Sequence, residues 1–168
     1  MLMVEITIKK MRQDDWNAVK DIYQAGIATG NATFQTAAPE WNEWNAGHLT
    51  DCRYVACAHD EIIGWAALSP YSSRHAYRGV AELSIYVHPK NHKDGVGKQL
   101  LSTLITASEQ AGYWMLIAGI FPENQASIRL HLGQGFRKVG YREKVGEMNG
   151  VFRDVIIFEK RSGKVNSG

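Results

Sequence analysis

The chain has 168 residues, 45% hydrophobic and 21% charged, with 19 Lys and Arg against 17 Asp and Glu for a net charge of +2. That length suffices for one domain with its own core, and scattered, nearly balanced charge excludes an electrostatic nucleic-acid binder. Cys52 and Cys57 are too few for a disulfide framework and lack a second ligand pair for zinc, while the absence of a leader pattern or a bilayer-length apolar run predicts a cytoplasmic protein without metal or membrane partners.

Residues 4–8 alternate apolar and polar with period two and predict a first strand. Asp14 or Asp15 is placed to cap a helix carrying Trp16, Val19, Ile22, Tyr23 and Ile27 at helical spacing, ended near Gly30. Residues 31–39 form a small polar loop around one large residue, Phe34, and Pro39 suits the first turn of a second helix. Two apolar segments, 53–59 and 62–68, are joined by Asp60-Glu61 and predict a hairpin. A polar loop over 70–79, holding Arg74, His75, Tyr77 and Arg78, leads into a strand through Leu83, Ile85 and Val87 that stops at Pro89.

After Gly97 an amphipathic helix carries Leu100, Leu101, Leu104, Ile105 and Ala107 on one side and ends at Gly112. Residues 114–120 are continuously apolar, as expected of a strand covered on both faces. Residues 124–132 predict a short helix, and Gly135-Phe136 starts a last pair of strands ending within 155–159. No repeat or linker divides the chain, so one domain over 1–161 is expected, followed by a polar, fraying tail over 162–168. The order is α/β (α+β), with one mixed, mostly antiparallel sheet.

Gly95-Val96-Gly97 sits where the strand ending at Pro89 gives way to a helix. Glycines at such a junction let backbone N–H groups approach a diphosphate, and the helix N-terminus adds positive potential. A Walker A loop would need Gly at position 92 and Ser or Thr at 99, where His92 and Gln99 stand; the dinucleotide fingerprint would need Gly in place of Leu100. What remains, from His92 to Gly97, resembles the acetyl-CoA signature of the GNAT acetyltransferases, Q/R-x-x-G-x-G/A, with His92 replacing the usual Gln or Arg. Asn124-Gln125-Ala126-Ser127-Ile128-Arg129-Leu130-His131, closing on Gly135-Phe136, resembles a second family segment, N-x-x-S-x-x-L. Within the family the chain is most similar to the phosphinothricin and methionine-sulfone N-acetyltransferases. The similarity rests on Asn31-Ala32-Thr33-Phe34, Val80-Ala81-Glu82, Leu130-His131 and Phe152-Arg153-Asp154. Phe152 stands where that group commonly has Trp, and Gly133 departs from the usual helix end.

The resemblance implies a sheet of about seven strands flanked by about four helices, with acetyl-CoA as cosubstrate, no metal, and a homodimer. It implies direct transfer, in a ternary complex, to the α-amino group of a small acceptor such as methionine sulfone, methionine sulfoximine or phosphinothricin. Another small amine or antibiotic as acceptor, and a non-catalytic acetyl-CoA-binding module, are the alternatives.

Such a transfer needs a base for the amine, a donor for the carbonyl oxygen as it gains charge, and a departing thiolate. Glu82 shares a strand face with Ser84 and Tyr86 and is the candidate base, acting directly or through water. By resemblance, Val87 N–H is the oxyanion donor, and Ile85, Tyr86 and Val87 pair with pantetheine like an added strand. Lys93, Asp94, Gly95, Val96, Gly97 and Lys98 would cradle the diphosphate. Asn124 and Ser127 are candidate contacts to the pantetheine arm or simply helix caps. His131 stands where many family members carry a tyrosine that protonates the thiolate; a structural helix histidine is the alternative. Arg74 and Arg78 have the planar fork that suits an acceptor carboxylate or phosphinate. Phe34 either lines the acceptor pocket or anchors its loop at the surface, and the five tryptophans read as packing.

Overall fold

The computed structural model describes residues 5–166. In chain order they form β1 (Thr7–Lys10), α1 (Trp16–Ala28), α2 (Trp41–Gly47), β2 (Tyr54–Ala58), β3 (Glu61–Pro70), β4 (Val80–Val87), α3 (Val96–Gln110), β5 (Met115–Ile120), α4 (Gln125–Gly133), β6 (Arg137–Met148) and β7 (Val151–Arg161). The strands make one seven-stranded sheet ordered β1-β2-β3-β4-β5-β7-β6. Only β4 and β5 run parallel; every other neighbouring pair is antiparallel.

Local chemistry explains most boundaries. His59 and Asp60 both have positive φ (52° and 62°), the signature of a two-residue hairpin turn, so the β2–β3 turn lies one residue earlier than the sequence suggests. Asn149 and Gly150, at φ 52° and 81°, make the equivalent turn between β6 and β7. That Asn-Gly pair, unused in the sequence reading, is the strongest short hairpin signal in the chain. β1 begins at Thr7, opposite Cys57 of β2, and runs two residues past the expected end to Lys10, opposite Tyr54; Val4, at the start of the expected strand, lies outside the described residues. Asp15 occupies the cap position of α1, yet its carboxylate accepts the Arg12 N–H (2.8 Å) in the preceding 3-10 turn. Ser162, expected to begin a fraying tail, is buried, and the Arg161 guanidinium donates to the Ser162 and Val165 carbonyls (both 2.8 Å).

Strand alternation splits the apolar residues between two cores. Ala66, Leu68, Ala81, Leu83, Leu116 and Ala118 face α3, meeting its buried Leu100, Leu101 and Leu104. On the opposite face Val55, Trp65 and Ala67 meet Trp16, Val19, Ile22 and Tyr23 of α1 and Trp44 of α2. α1 packs on β3 and β4. The expectation that β5 is covered on both faces therefore fails: Leu116, Ala118 and Ile120 are buried, whereas Gly119 is exposed and Ile117 half-buried.

The sheet is also split. β4 pairs with β5 only through Val80↔Met115, Ala81↔Leu116 and Glu82↔Ile117, while its pairing with β3 continues to Val87↔Gly64. Beyond Glu82 the two parallel strands part, and a wedge opens through the sheet.

Candidate functional site

Alternation of the backbone decides which groups face the wedge. His88 N–H donates to the Ile63 carbonyl of β3 (2.7 Å), so the N–H groups of Val87 and Ile85 point the other way, into the opening. His92, the departure from the family signature, places Nε2 2.9 Å from the Val87 carbonyl; since a carbonyl only accepts, Nε2 carries the proton of that bond. The ring thereby ties the glycine turn to the end of β4.

From this edge a groove of about 600 Å³ runs between Val87, His92, Gly95, Gly97 and Lys98 on one side and α4 on the other. Gly95 has φ 77°, a left-handed conformation that side chains rarely adopt. At Gly97 the limit is proximity: a Cβ there would stand 3.2 Å from Leu130 Cδ2 and 3.8 Å from Val87 Cγ2. The first bond of the α3 ladder runs from Gln99 N–H to the Gly95 carbonyl (3.2 Å), which leaves the N–H groups of Val96, Gly97 and Lys98 for a ligand. An open strand edge plus a glycine-lined helix N-terminus suits an extended amide-bearing arm ending in a diphosphate.

Through the wedge the groove meets a second cleft, of about 320 Å³, bordered by Phe34, Glu82, Ser84, Phe121, His131 and Val155. Ala32, Ile85, Tyr86, Asn124 and Ser127 border both openings. Glu82 lies at the apex, the last β4 residue paired on both sides. Solvent reaches it through the cleft, yet the surrounding protein desolvates the carboxyl and raises its pKa above 4.5. Among the described residues no cation pairs with it.

His131 is 1% exposed, with Nδ1 2.7 Å from the Ser127 carbonyl. Nδ1 therefore carries a proton, and Nε2 finds no partner among the described residues. Burial lowers the pKa below 6.5, so the ring is neutral and Nε2 is an acceptor. Phe34 stacks edge-on against Phe121 (4.9 Å, 81°) and forms part of the cleft wall. Asn124 spends its side chain on the protein: Oδ1 accepts Ser127 N–H (3.2 Å) as the α4 cap, and Nδ2 donates to the Asn31 carbonyl (3.3 Å).

Other candidates are not brought to these openings. Lys93 and Asp94 stand outside the groove lining, with Asp94 accepting from Asn91 Nδ2 (3.0 Å). Val96 is wholly buried in the core and offers the groove only its backbone. Arg74 lies over the Tyr77 ring (5.5 Å) and Arg78 over Trp114 (5.2 Å), both outside the linings of the cleft and groove. Conversely, sequence reasoning gave no role to Val155 and Ile157, which wall the cleft, or to the His92 bridge. The wall was findable only as period-two apolar residues near the chain end, a pattern that does not say which face is covered.

Residues 16–136 match the model of the Acetyltransferase (GNAT) family. The chain is 32% identical over 160 residues to a phosphinothricin N-acetyltransferase of Alcaligenes faecalis, covering 92% of this chain and 81% of that protein. It is 30% identical over 166 residues to an L-methionine sulfoximine/L-methionine sulfone acetyltransferase of Salmonella typhimurium, covering 92% and 93%. A solved structure of a GNAT superfamily phosphinothricin acetyltransferase from Sinorhizobium meliloti in complex with AcCoA superposes with a TM-score of 0.85 at 27% identity, over 97% of this chain and 91% of that one. With the split sheet, the glycine-lined helix start and the family match in agreement, the chain belongs to the GNAT family of acetyltransferases.

Proposed function

We propose that this protein moves the acetyl group of acetyl-CoA to the α-amino group of a small amino-acid-like acceptor of the methionine sulfone, methionine sulfoximine or phosphinothricin type. The observation that carries the reading is the position of Glu82: an unpaired, desolvated carboxylate at the apex where a groove suited to a diphosphate-bearing arm meets a separate small cleft. The named relatives, phosphinothricin and methionine sulfone acetyltransferases, support the acceptor class.

Acetyl-CoA supplies the activated thioester. The edge of β4 from Ile85 to Val87 holds its arm by backbone pairing, and the α3 N-terminus with Gly95, Gly97 and Lys98 holds its diphosphate. Glu82 takes the proton of the acceptor amine, directly or through one water; a carboxylate shifted toward neutrality is the better base for that task. Val87 N–H, turned into the wedge, is the donor for oxygen that gains charge. The acid role that the resemblance attaches to His131 asks for an imidazolium, and burial opposes one. We assign the neutral ring, held by the Ser127 carbonyl, to the wall of the cleft.

Recognition of the acceptor's acid group is assigned to the loop of Arg74 and Arg78, which leads straight into β4. Since both guanidinium groups stack outside the cleft, engagement there requires that loop to move. The proposal includes a homodimer, for which the β6–β7 hairpin exposes Val145, Val151 and Phe152 as apolar surface, Val151 and Phe152 on opposite faces of β7. Thiol release from acetyl-CoA tests the reading, with methionine sulfone, methionine sulfoximine, phosphinothricin, their decarboxylated analogues and spermidine as acceptors. Turnover with the amino acids and not with the decarboxylated amines is expected. Preference for spermidine or a simple amine would overturn the acceptor class, and tight acetyl-CoA binding without turnover of any acceptor would leave a binding module.

A further inference from the structure

Arg153 of β7 is a largely buried cation, 14% exposed, that the reaction as described leaves unused. Its Nη1 donates to the Gly30 carbonyl (2.8 Å), and its Nη2 donates to Asn31 Oδ1 (2.8 Å) and lies 3.4 Å from Glu123 Oε2. The guanidinium carbon stands 4.2 Å from the centre of the Phe121 ring. These contacts tie β7 to the end of α1 and the segment after it, so the guanidinium acts as a clamp.

What it clamps has little structure of its own. Past the left-handed Gly30 (φ 75°) that ends α1, residues 31–36 form no helix or strand. Their local bonds are short-range, from Asn31 N–H to Thr29 Oγ1 (3.2 Å) and from Gln35 N–H to Thr33 Oγ1 (3.1 Å). Yet this segment is the partition between the two openings. Asn31 borders the groove, Ala32 borders both, and Thr33, Phe34 and Gln35 border the cleft. Asn31 is gripped twice, its carbonyl by Asn124 of the α4 cap and its side chain by Arg153. The same guanidinium covers Phe121, against which Phe34 stands edge-on.

We propose that Arg153 is the positioning residue of the acceptor wall: its fork locks residues 30–34 against β7, setting Ala32, Thr33 and Phe34 where an acceptor must fit. Two coplanar donors reach acceptors on two consecutive residues, a geometry that a lysine point charge cannot copy. The kinetic consequence rests on the acetyltransferase reading above; the structural one does not.

The test uses Arg153→Ala, Arg153→Lys and Asn31→Ala in the full chain. Without any substrate, amide hydrogen exchange over 31–36 is expected to speed up about tenfold or more in Arg153→Ala, with β2, β3 and α3 unchanged. With methionine sulfone, its KM is expected to rise about tenfold or more while kcat and the acetyl-CoA Kd stay within about threefold. Arg153→Lys should recover only part of the loss, and added guanidinium ion should partly rescue Arg153→Ala. Unchanged exchange over 31–36 would overturn the proposal, as would a parallel loss of acetyl-CoA affinity and of exchange protection throughout the sheet. Should Arg153→Ala fail to fold, Asn31→Ala removes one end of the same contact and must show the same direction of change. Failure of the wild type to acetylate any amino acid would sink the proposed function alone, because the exchange measurement judges the clamp independently.

Discussion

Glu82 and Ile117 form the last residue pair at which β4 and β5 touch. One residue further along, β4 is bound only to β3 and its other edge is open. The carboxylate therefore stands where the wedge closes, with apolar neighbours and no cation among the described residues to stabilise its charge.

Glu82→Gln is expected to keep acetyl-CoA binding and to lose about 10²- to 10⁴-fold in kcat, the usual cost of losing a general base. In the wild type the acid limb of kcat/KM should lie above pH 4.5, because burial raises this pKa, and the limb should vanish in the variant. Stability should move oppositely. Between 4.5 and its raised folded value the folded carboxyl binds more protons than the unfolded one, so stability falls as pH rises through that window. Glu82→Gln should consequently melt higher than wild type at neutral pH and no higher below pH 4.5. A rate within a few-fold of wild type across neutral pH would show that Glu82 is not the base.

The two glycines of the turn should fail differently. Gly97→Val puts a branched side chain against Leu130 and into the groove, so the Kd of acetyl-CoA should rise at least tenfold, about 1.4 kcal/mol. At Gly95 a Cβ meets nothing within 4 Å but is strained at φ 77°, so Gly95→Ala should cost roughly 1–2 kcal/mol of stability with less effect on binding. Denaturant melts and cofactor titration separate the two; equal effects on both quantities would contradict the assignment.

Phe34 owes its place to a missing side chain. A Cβ on Gly146 of β6 would lie 2.5 Å from Phe34 Cζ, so Gly146→Ala must push the ring toward the cleft or out of it. The expected result is a shift in acceptor KM of about tenfold, since small displacements of a positioning surface carry large kinetic costs. Acetyl-CoA affinity should not change. Steady-state kinetics with each substrate varied in turn checks this, and an unaltered acceptor KM would remove Phe34 from the acceptor wall.

His131 makes the protein acid-sensitive. Its folded pKa lies below 6.5, so between that value and 6.5 the unfolded chain binds the extra proton and stability falls as pH drops. Melting temperatures from pH 8 down to 5 should show this loss in the wild type. His131→Gln, which keeps an N–H donor and cannot titrate, should show a shallower slope. Identical slopes would mean that folding leaves the pKa of the ring where it is in the unfolded chain.

Much of this was legible along the chain. The element order followed from local periodicity, because a strand or helix with one buried face must repeat its apolar residues at the matching period. The strand stopping at Pro89 and the Gly95-Val96-Gly97 turn identified a phosphate-binding helix start, because left-handed backbone and close approach are demands that glycine meets locally. Glu82 could be picked out from its strand face and its resemblance. The wedge could not: residues 114–120 are apolar whether β5 runs beside β4 for its whole length or leaves it after Ile117. Nor does that run say that α1 and α2 leave one face of β5 open to become a cleft wall. The proton on His131 Nδ1, the stacking of Arg78 on Trp114 and the grip of Arg153 on Asn31 are likewise silent in sequence. Periodicity reports how each segment meets its own surroundings, whereas these features depend on which distant segments become neighbours, and only tertiary packing decides that.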